Sequence, residues 1–301
     1  MNIMRVEVKK LDKLKRTINV EVEGEEFLKE KNEIYSKKAK DLKVPGFRPG
    51  SAPLDVLERH HSKFLKEEVL KESLPNFYRK ALEDKKILPA GMPHVYDIKL
   101  TSNRLSFSAD FEARPEIEAE ESSYKGIKVK DKNCEVKEIE VEKVLTNLKE
   151  GIKKVINKDL EDSDLAKWAS YPDIKPLREA IRAQLFMEKS RERRQKVDSQ
   201  VRAHLLKTFK VDLPKDEFTR HHQELVERET YNLQRRGVSQ EDIDKYKKDL
   251  EEKFKSVAEE DLKLFYILEA IAKNEGIKVD NNLGDVVLGF VLSHAQYQKG
   301  G

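Results

Sequence analysis

Cysteine is almost missing from this chain: Cys134 stands alone among 301 residues. One thiol builds neither a disulfide framework nor a cysteine metal cage, and the shortage suits a reducing cytosol. Long apolar runs are missing as well. The longest lies within 286–292, far short of the ~20 residues needed to cross a bilayer. Residues 1–10 hold no apolar core of signal-peptide length. The expectation is a soluble, cytoplasmic protein with no membrane insertion. A charge excess is missing: 60 Lys and Arg stand against 57 Asp and Glu, so a strongly basic nucleic-acid binder is not indicated. Common catalytic patterns are missing too, namely G-x-S-x-G, the P-loop, G-x-G-x-x-G and H-E-x-x-H. The expectation is no catalytic residue and no cofactor.

What the chain holds in quantity is charge of both signs. Charged residues make up 39% and apolar residues 38%, which fits long exposed helices better than one large core. The length suggests about two domains. The pairs His60-His61 and His221-His222 are weak metal candidates, because adjacent residues on a helix point ~100° apart. Arg191, Arg193, Arg194 and Lys196 could contact nucleic acid, but Glu188 and Glu192 interleave them as on a solvated helix face.

Hydrophobic spacing divides the chain. Residues 4–23 alternate, with Met4, Val6 and Val8 on one strand, Ile18, Val20 and Val22 on the next, and Leu11-Asp12-Lys13 as the turn. From Glu25 to Lys43 the spacing turns helical on Leu28, Tyr35, Ala39 and Leu42. Ser51 is expected to cap the next helix, with Pro53 in its first turn. A longer helix over 62–84 carries Leu70, Leu74, Phe77 and Ala81, with a kink or break expected at Pro75. Two more strands follow, one with Tyr96, Ile98 and Leu100 on a face, the other with Leu105, Phe107, Ala109, Phe111 and Ala113. The fold class is thus an α+β N-terminal domain, a four-stranded antiparallel sheet with a helix-loop-helix, over 1–114.

Residues 115–176 read as a linker in which Tyr124–Lys130 fits a short strand and Glu138 to Ile156 a helix, with 157–176 as loop. Residues 177–301 read as an extended all-α domain. One face carries Leu177, Ile181 and Leu185, another Val197, Val201 and Leu205. Ser239 and Asp242 have capping-box spacing. They open a helix of about 35 residues along Ile243, Tyr246, Leu250, Phe254, Val257, Leu264, Leu268 and Ile271, stopped by Gly276. Such length implies an arm or a helical hairpin.

The stretch Val44-Pro45-Gly46-Phe47-Arg48-Pro49-Gly50-Ser51-Ala52-Pro53 stands apart. Its prolines and glycines make a stiff turn between helices, with Phe47 and Arg48 at the tip and Lys37, Lys38, Lys40 and Lys43 just before it. Two readings fit the turn alone: a docking tip, since Phe and Arg are common interface anchors, or a connection whose Phe folds back onto its own helices.

The stretch resembles the signature of trigger factor, the bacterial chaperone that docks at the ribosomal exit tunnel. The family pattern is Gly-Phe-Arg-any-Gly-Lys-any-Pro. Gly46, Phe47, Arg48, Gly50 and Pro53 match it, and Ser51 replaces the usual Lys. Leu177 to Arg182 is similar to the family's entry into its C-terminal helical domain, and so is the run from Leu268 to Val279. The resemblance covers roughly 1–280. It implies a ribosome-binding domain with Gly46, Phe47, Arg48, Pro49, Gly50 and Lys43 at the contact. It also implies an ATP-independent holding role for nascent or unfolded polypeptides. The partners would be a tunnel-rim protein and ribosomal RNA of the large subunit; a homodimer is left open. Phe254, Phe265, Tyr266 and Phe290 are client-face candidates, each also readable as core, and the apolar run 286–292 has the same two readings. The family usually inserts an FKBP-like prolyl-isomerase domain before the C-terminal domain, and the residues for it are not here. Prolyl isomerisation and ribosome assembly or RNA binding remain the rival functions.

Overall fold

The chain is described by a computed structural model covering residues 3–48, 50–157, 160–278 and 282–299. Its elements in order are β1 (Ile3–Lys10), β2 (Lys15–Glu23), α1 (Glu25–Ala39), α2 (Leu54–Asp84), β3 (His94–Leu100), β4 (Arg104–Glu112), α3 (Glu121–Tyr124) and β5 (Lys128–Asp131). Then follow α4 (Glu138–Ile156), α5 (Asp162–Trp168), α6 (Ile174–Thr208), α7 (Lys215–Arg235), α8 (Gln240–Asn274), α9 (Leu283–Ser293) and β6 (Gln296–Lys299). They form two compact units: residues 1–116 with 211–263, and residues 117–210 with 264–301.

The first unit is built on an antiparallel sheet of order β1-β2-β4-β3. Met4 pairs with Val22, Val6 with Val20 and Val8 with Ile18, so the alternating apolar residues share one face. Leu105, Phe107, Ala109, Phe111 and Ala113 are all buried on that face beneath α1 and α2. The opposite face is polar: Thr17 and Tyr96 both donate to Asp110, and Ser108 donates to Asn19.

β3 departs from simple alternation. Asp97 adopts φ 51, and the register shifts between Tyr96 and Lys99. The bulge separates Tyr96, Ile98 and Leu100, which spacing alone puts on one face. Val95 and Leu100 reach the core, while Ile98 is exposed.

α1 buries Phe27, Lys31, Ile34, Tyr35 and Ala39, so Tyr35 and Ala39 of the expected face are buried while Leu28 and Leu42 are half-buried. α2 breaks at His61, which has φ −126 and ψ 29, and not at Pro75. Pro75 is exposed, so the Lys71 carbonyl it leaves without a helical donor faces water. The buried row Leu65, Val69, Ser73, Phe77 and Ala81 runs at four-residue spacing down the later part. Each fully buried Phe in this core contributes roughly 1.5–3 kcal/mol.

Ser73 is fully buried, and its hydroxyl has no partner among the described residues. A buried unpaired hydroxyl costs about 1–3 kcal/mol. Ser73→Ala is therefore expected to stabilise the protein by about 1 kcal/mol, raising the melting temperature by ~2 °C. A fall in a thermal melt would contradict this.

In the second part of this unit, α7 buries Leu225 and Val226. The His222 ring lies parallel to Phe218 at 6.2 Å, and its Nε2 is 2.6 Å from the Glu251 carbonyl. At the start of α8 the Asp242 amide donates to Ser239 Oγ, and that hydroxyl donates to the Asp242 carboxylate. Tyr246 is exposed, outside the buried seam expected of it.

The second unit packs α4, α5 and α6 around Val141, Leu145, Leu165, Ala166, Leu177 and Ile181. α4 has the bounds its spacing gives. The stretch 157–176, expected as loop, holds α5 and the start of α6, where Asp173 accepts from the Ile174 amide. Its prolines misled the reading: Pro176 sits in the first helical turn, where no amide donor is needed. Val197, Val201 and Leu205 are buried further along α6.

α8 closes with a paired cap. Gly276, at φ 65, donates to Lys273, and the Ile277 amide reaches back to Ala272. The apolar run 286–292 is half buried, through Val287, Leu288 and Val291 in α9. β5 overlaps the short strand read over 124–130, and it pairs in parallel with β6, an addition that the sequence Gln-Tyr-Gln-Lys did not signal.

Tyr124 is fully buried and ties this unit together. Its hydroxyl donates to Glu275 and accepts from Asn274 at 2.7 Å, and the Lys125 ammonium is 2.8 Å from the same carboxylate. Lys125 and Tyr124 hold the Glu275 carboxyl below its usual range. A carboxylate so depressed adds stability above the ordinary glutamate value of about 4.3 and loses it as pH falls through the lower folded value. Glu275→Gln is expected to lower the urea midpoint at pH 7 and to match the wild type at pH 3 or below. A constant gap across pH would show that the carboxylate charge is not involved.

Candidate functional site

The turn between α1 and α2 is made of two reversals in series. The Phe47 amide donates to the Val44 carbonyl at 3.1 Å across Pro45-Gly46, and Gly46 has φ 84. The Ser51 amide donates to the Arg48 carbonyl at 2.9 Å, with Gly50 at φ 82. Proline followed by a left-handed glycine is the chemistry of a type II turn. A side chain at position 46 would meet nothing within 4 Å, so its glycine answers to backbone conformation alone. Pro49 lies outside the described residues, as does Val279.

The feet of the loop are anchored. Val44 is 5% exposed and belongs to the core of the first unit. His61, at the bend of α2, has Nε2 3.0 Å from the Lys43 carbonyl. Gly50 lies against the end of α1, near Lys40. Ser51 does not cap α2. Its hydroxyl donates to the Arg48 carbonyl at 2.6 Å, and Pro53 occupies the cap position, its carbonyl accepting from Val56 and Leu57. With its own hydrogen bonds spent inside the turn, Ser51 braces the tip.

Against that anchored base Phe47 is 42% exposed. Arg48 is exposed and makes no ion pair among the described residues. Lys37, Lys40 and Lys43 are exposed at the end of α1, and Arg59 and Lys63 on α2. Lys38 is not part of that group, because it pairs with Glu68 and Glu72. The arrangement is an apolar ring and a permanent cation on a stiff tip, bordered by further cations.

Sequence spacing missed the groups that hold α2's first segment. Lys31 is 8% exposed, and its ammonium lies 3.1 Å from Glu58 and 3.4 Å from the Ser102 carbonyl. The Tyr35 hydroxyl donates to the same Glu58 oxygen at 3.2 Å; burial and the Glu58 charge push that phenol's pKa up. The signal was present: Lys31 interrupts the apolar stripe of α1 at the four-residue step after Phe27.

The other candidates separate. Tyr266 is 2% exposed and serves packing, so it offers no client face. Phe265, 38% exposed, stands edge-on to it at 5.5 Å. Phe290 is half-buried against His294. Phe254 is half-buried in the first unit. Arg193 binds both carboxylate oxygens of Asp131 and holds that carboxyl below its usual range, which removes it from the basic cluster on α6. Among the described residues no group of His, Cys, Asp and Glu is arranged to hold a metal, and no helix is long and apolar enough to cross a membrane.

The geometry defines a class: a two-unit protein, one unit holding the four-stranded sheet and a loop of anchored base and exposed tip, the other largely helical. The comparisons with known proteins give it a family. Residues 4–148 match the family described as bacterial trigger factor protein (TF), and residues 173–283 match its C-terminus. The chain belongs to the trigger factor family. The trigger factor of Nitrosococcus oceani is 31% identical over 148 residues, 49% of this chain and 33% of that protein. Those of Desulforudis audaxviator and Natranaerobius thermophilus are 32% identical over 155 residues and 34% over 143, covering 51% and 47% of this chain and 35% and 32% of theirs. The chain thus spans about a third of the length of the curated relatives it matches. A solved structure described as "Promiscuous Substrate Recognition in Folding and Assembly Activities of the Trigger Factor Chaperone" shares the fold. It has a TM-score of 0.52 and 16% identity, over 91% of this chain and 87% of the other. Between the two matched stretches, 149–172 forms the end of α4 and all of α5, apart from Lys158 and Asp159, which lie outside the described residues. No isomerase domain is identified among those described residues.

Proposed function

We propose that this protein is an ATP-independent holding chaperone of the cytosol that docks at the ribosomal exit tunnel and retains nascent or unfolded polypeptides without isomerising them. The observation that carries the reading is Phe47, an aromatic ring left 42% exposed on a turn whose base is fixed by Val44 and His61. A loop ordered before binding loses little entropy on docking. Gly46 and Gly50 set the turn, Phe47 and Arg48 make the contact, and Lys43 with its neighbours adds attraction to ribosomal RNA. In this reading residues 1–114 form the ribosome-binding part, 115–176 the linker and 177–301 the holding part, to which Phe265 and Phe290 contribute apolar surface.

The test has two arms: co-sedimentation with ribosomes, and suppression of aggregation of a chemically unfolded client without nucleotide. Both are expected to be positive. Ribosome binding with no effect on aggregation would instead make it a ribosome-assembly or RNA-binding factor, and turnover of a prolyl peptide would overturn the non-enzymatic part.

A further inference from the structure

We propose that the cavity beside Lys31 and Glu58 binds a small zwitterion, a free α-amino acid with a branched aliphatic side chain; the site stands apart from the docking and holding readings. The cavity measures about 180 Å³ and lies within the first unit, where α1, α2 and the end of β3 meet. Its walls include Lys31 and Tyr35 from α1, Glu58, Lys66 and Val69 from α2, and Leu100 from β3. At about 30 Å³ per water it has room for about six waters. That is the size of one amino acid and too small for a nucleotide.

The polar groups of the wall divide into matched and unmatched. Lys31 is matched: its ammonium meets Glu58 Oε1 and the Ser102 carbonyl and stands over the Tyr35 ring. The Tyr35 hydroxyl donates to the same Oε1. Both bonds thus go to one oxygen of Glu58. Its Oε2 accepts none from the described residues, and the side chain is 38% exposed. An ionised carboxylate has about four acceptor sites, so this one has capacity left. Lys66 is exposed and makes no ion pair among the described residues. The cavity therefore presents one unmatched carboxylate oxygen and one unmatched ammonium, with the apolar surface of Val69 and Leu100 beside them.

That combination selects the ligand. A simple anion drawn to Lys66 would sit against Glu58. A simple cation drawn to Glu58 would sit against Lys66 and the buried Lys31. Each loses part of its attraction to repulsion. A molecule carrying both charges meets both partners, its ammonium on Glu58 and its carboxylate on Lys66. In an α-amino acid the two groups stand on one carbon, close enough for a cavity this small. The remaining volume is walled by Val69 and Leu100, where an aliphatic side chain buries apolar surface.

The experiment titrates the full chain by calorimetry with L-leucine and three relatives: glycine, which lacks the side chain, N-acetylleucine, which lacks the ammonium, and leucinamide, which lacks the carboxylate. Leucine is expected to bind with a Kd on the order of 1 mM, as suits so small a ligand, and to raise the melting temperature. Each relative is expected to bind about tenfold more weakly or worse. Lys66→Ala should weaken leucine about tenfold, and Lys66→Arg should restore it. Lys66→Glu should invert the preference, so that leucinamide binds better than leucine. Lys66 is exposed, so these variants are expected to fold. If any of them melts early, the ligand series on the wild type decides alone. No binding of leucine by the wild type would overturn the site and leave the cavity to water. N-acetylleucine binding as tightly as leucine would reduce it to an anion site, leucinamide doing so to a cation site, and glycine doing so would remove the apolar wall. Each of these overturns the assignment of an aliphatic amino acid. Equal affinity of Lys66→Ala and the wild type would place leucine elsewhere and overturn this cavity as its site.

Discussion

Alanine at both Phe47 and Arg48 is expected to reduce ribosome affinity about hundredfold or more. Central aromatic and arginine anchors each cost about 2 kcal/mol or more when truncated, and even a subadditive 3 kcal/mol is about a hundredfold. The two single variants should differ in kind. Arg48→Ala removes a cation, so the slope of log affinity against log salt should fall by ~1; Phe47→Ala should weaken binding with the slope unchanged. Neither side chain supports the fold. Phe47 is half-exposed, and Arg48 contributes to the turn through its carbonyl, which alanine keeps. Thermal melts of both variants should match the wild type. Ser51→Lys restores the signature cation but gives up the Ser51 hydroxyl bond to the Arg48 carbonyl. A steeper salt slope with little change in affinity at moderate salt is therefore expected. Equal pelleting of the double variant and the wild type would remove the loop from the contact.

How far such a site is legible in sequence depends on what fixes each residue. The two Pro-Gly reversals are local chemistry, and they were readable as a turn with Phe47 and Arg48 at its tip. The sheet was readable because one face is buried, which imposes a period of two on β1, β2 and β4. β3 was readable as a strand but its facing was not, because a single left-handed residue, Asp97, inserts a bulge that no spacing rule anticipates. Ser51 could not be assigned either. A hydroxyl at that position can serve a helix cap or a turn carbonyl, and only the geometry of Pro53 decides. α5 was hidden by Pro172 and Pro176 shortly after it, which read as loop although Pro176 lies where a helix tolerates it. The client-face residues were least legible. Tyr266 and Phe265 are neighbours in sequence, yet one is buried and the other 38% exposed, a difference set by what packs around α8.

The largest stability effect expected near the loop comes from Glu58. Lys31 is buried with a single carboxylate partner, and its ammonium also lies 5.1 Å from the Tyr35 ring centre. Breaking a buried pair from one side costs about 3–5 kcal/mol when the remaining charge has no other partner. Here the Glu58 side chain is 38% exposed, and a cavity of about 180 Å³ opens between Lys31, Tyr35, Glu58 and Lys66. Water reaching that cavity lowers the cost of Glu58→Ala to about 2 kcal/mol. Lys31→Met should cost under ~1 kcal/mol, because methionine keeps the apolar stem while Glu58 keeps its bond from Tyr35 and its access to solvent. The double variant is expected to recover most of what Glu58→Ala loses, since no charge is then left buried. A double-mutant cycle in urea at pH 7 reads this directly. The consequence for docking follows from position. Glu58 lies in the short segment of α2 before the bend at His61, the segment that carries one foot of the loop. Glu58→Ala should therefore also weaken ribosome binding several-fold without touching Phe47 or Arg48, and Lys31→Met in the same background should restore it. If the two single losses simply add, Lys31 and Glu58 are not coupled, and the first segment of α2 is held by packing alone.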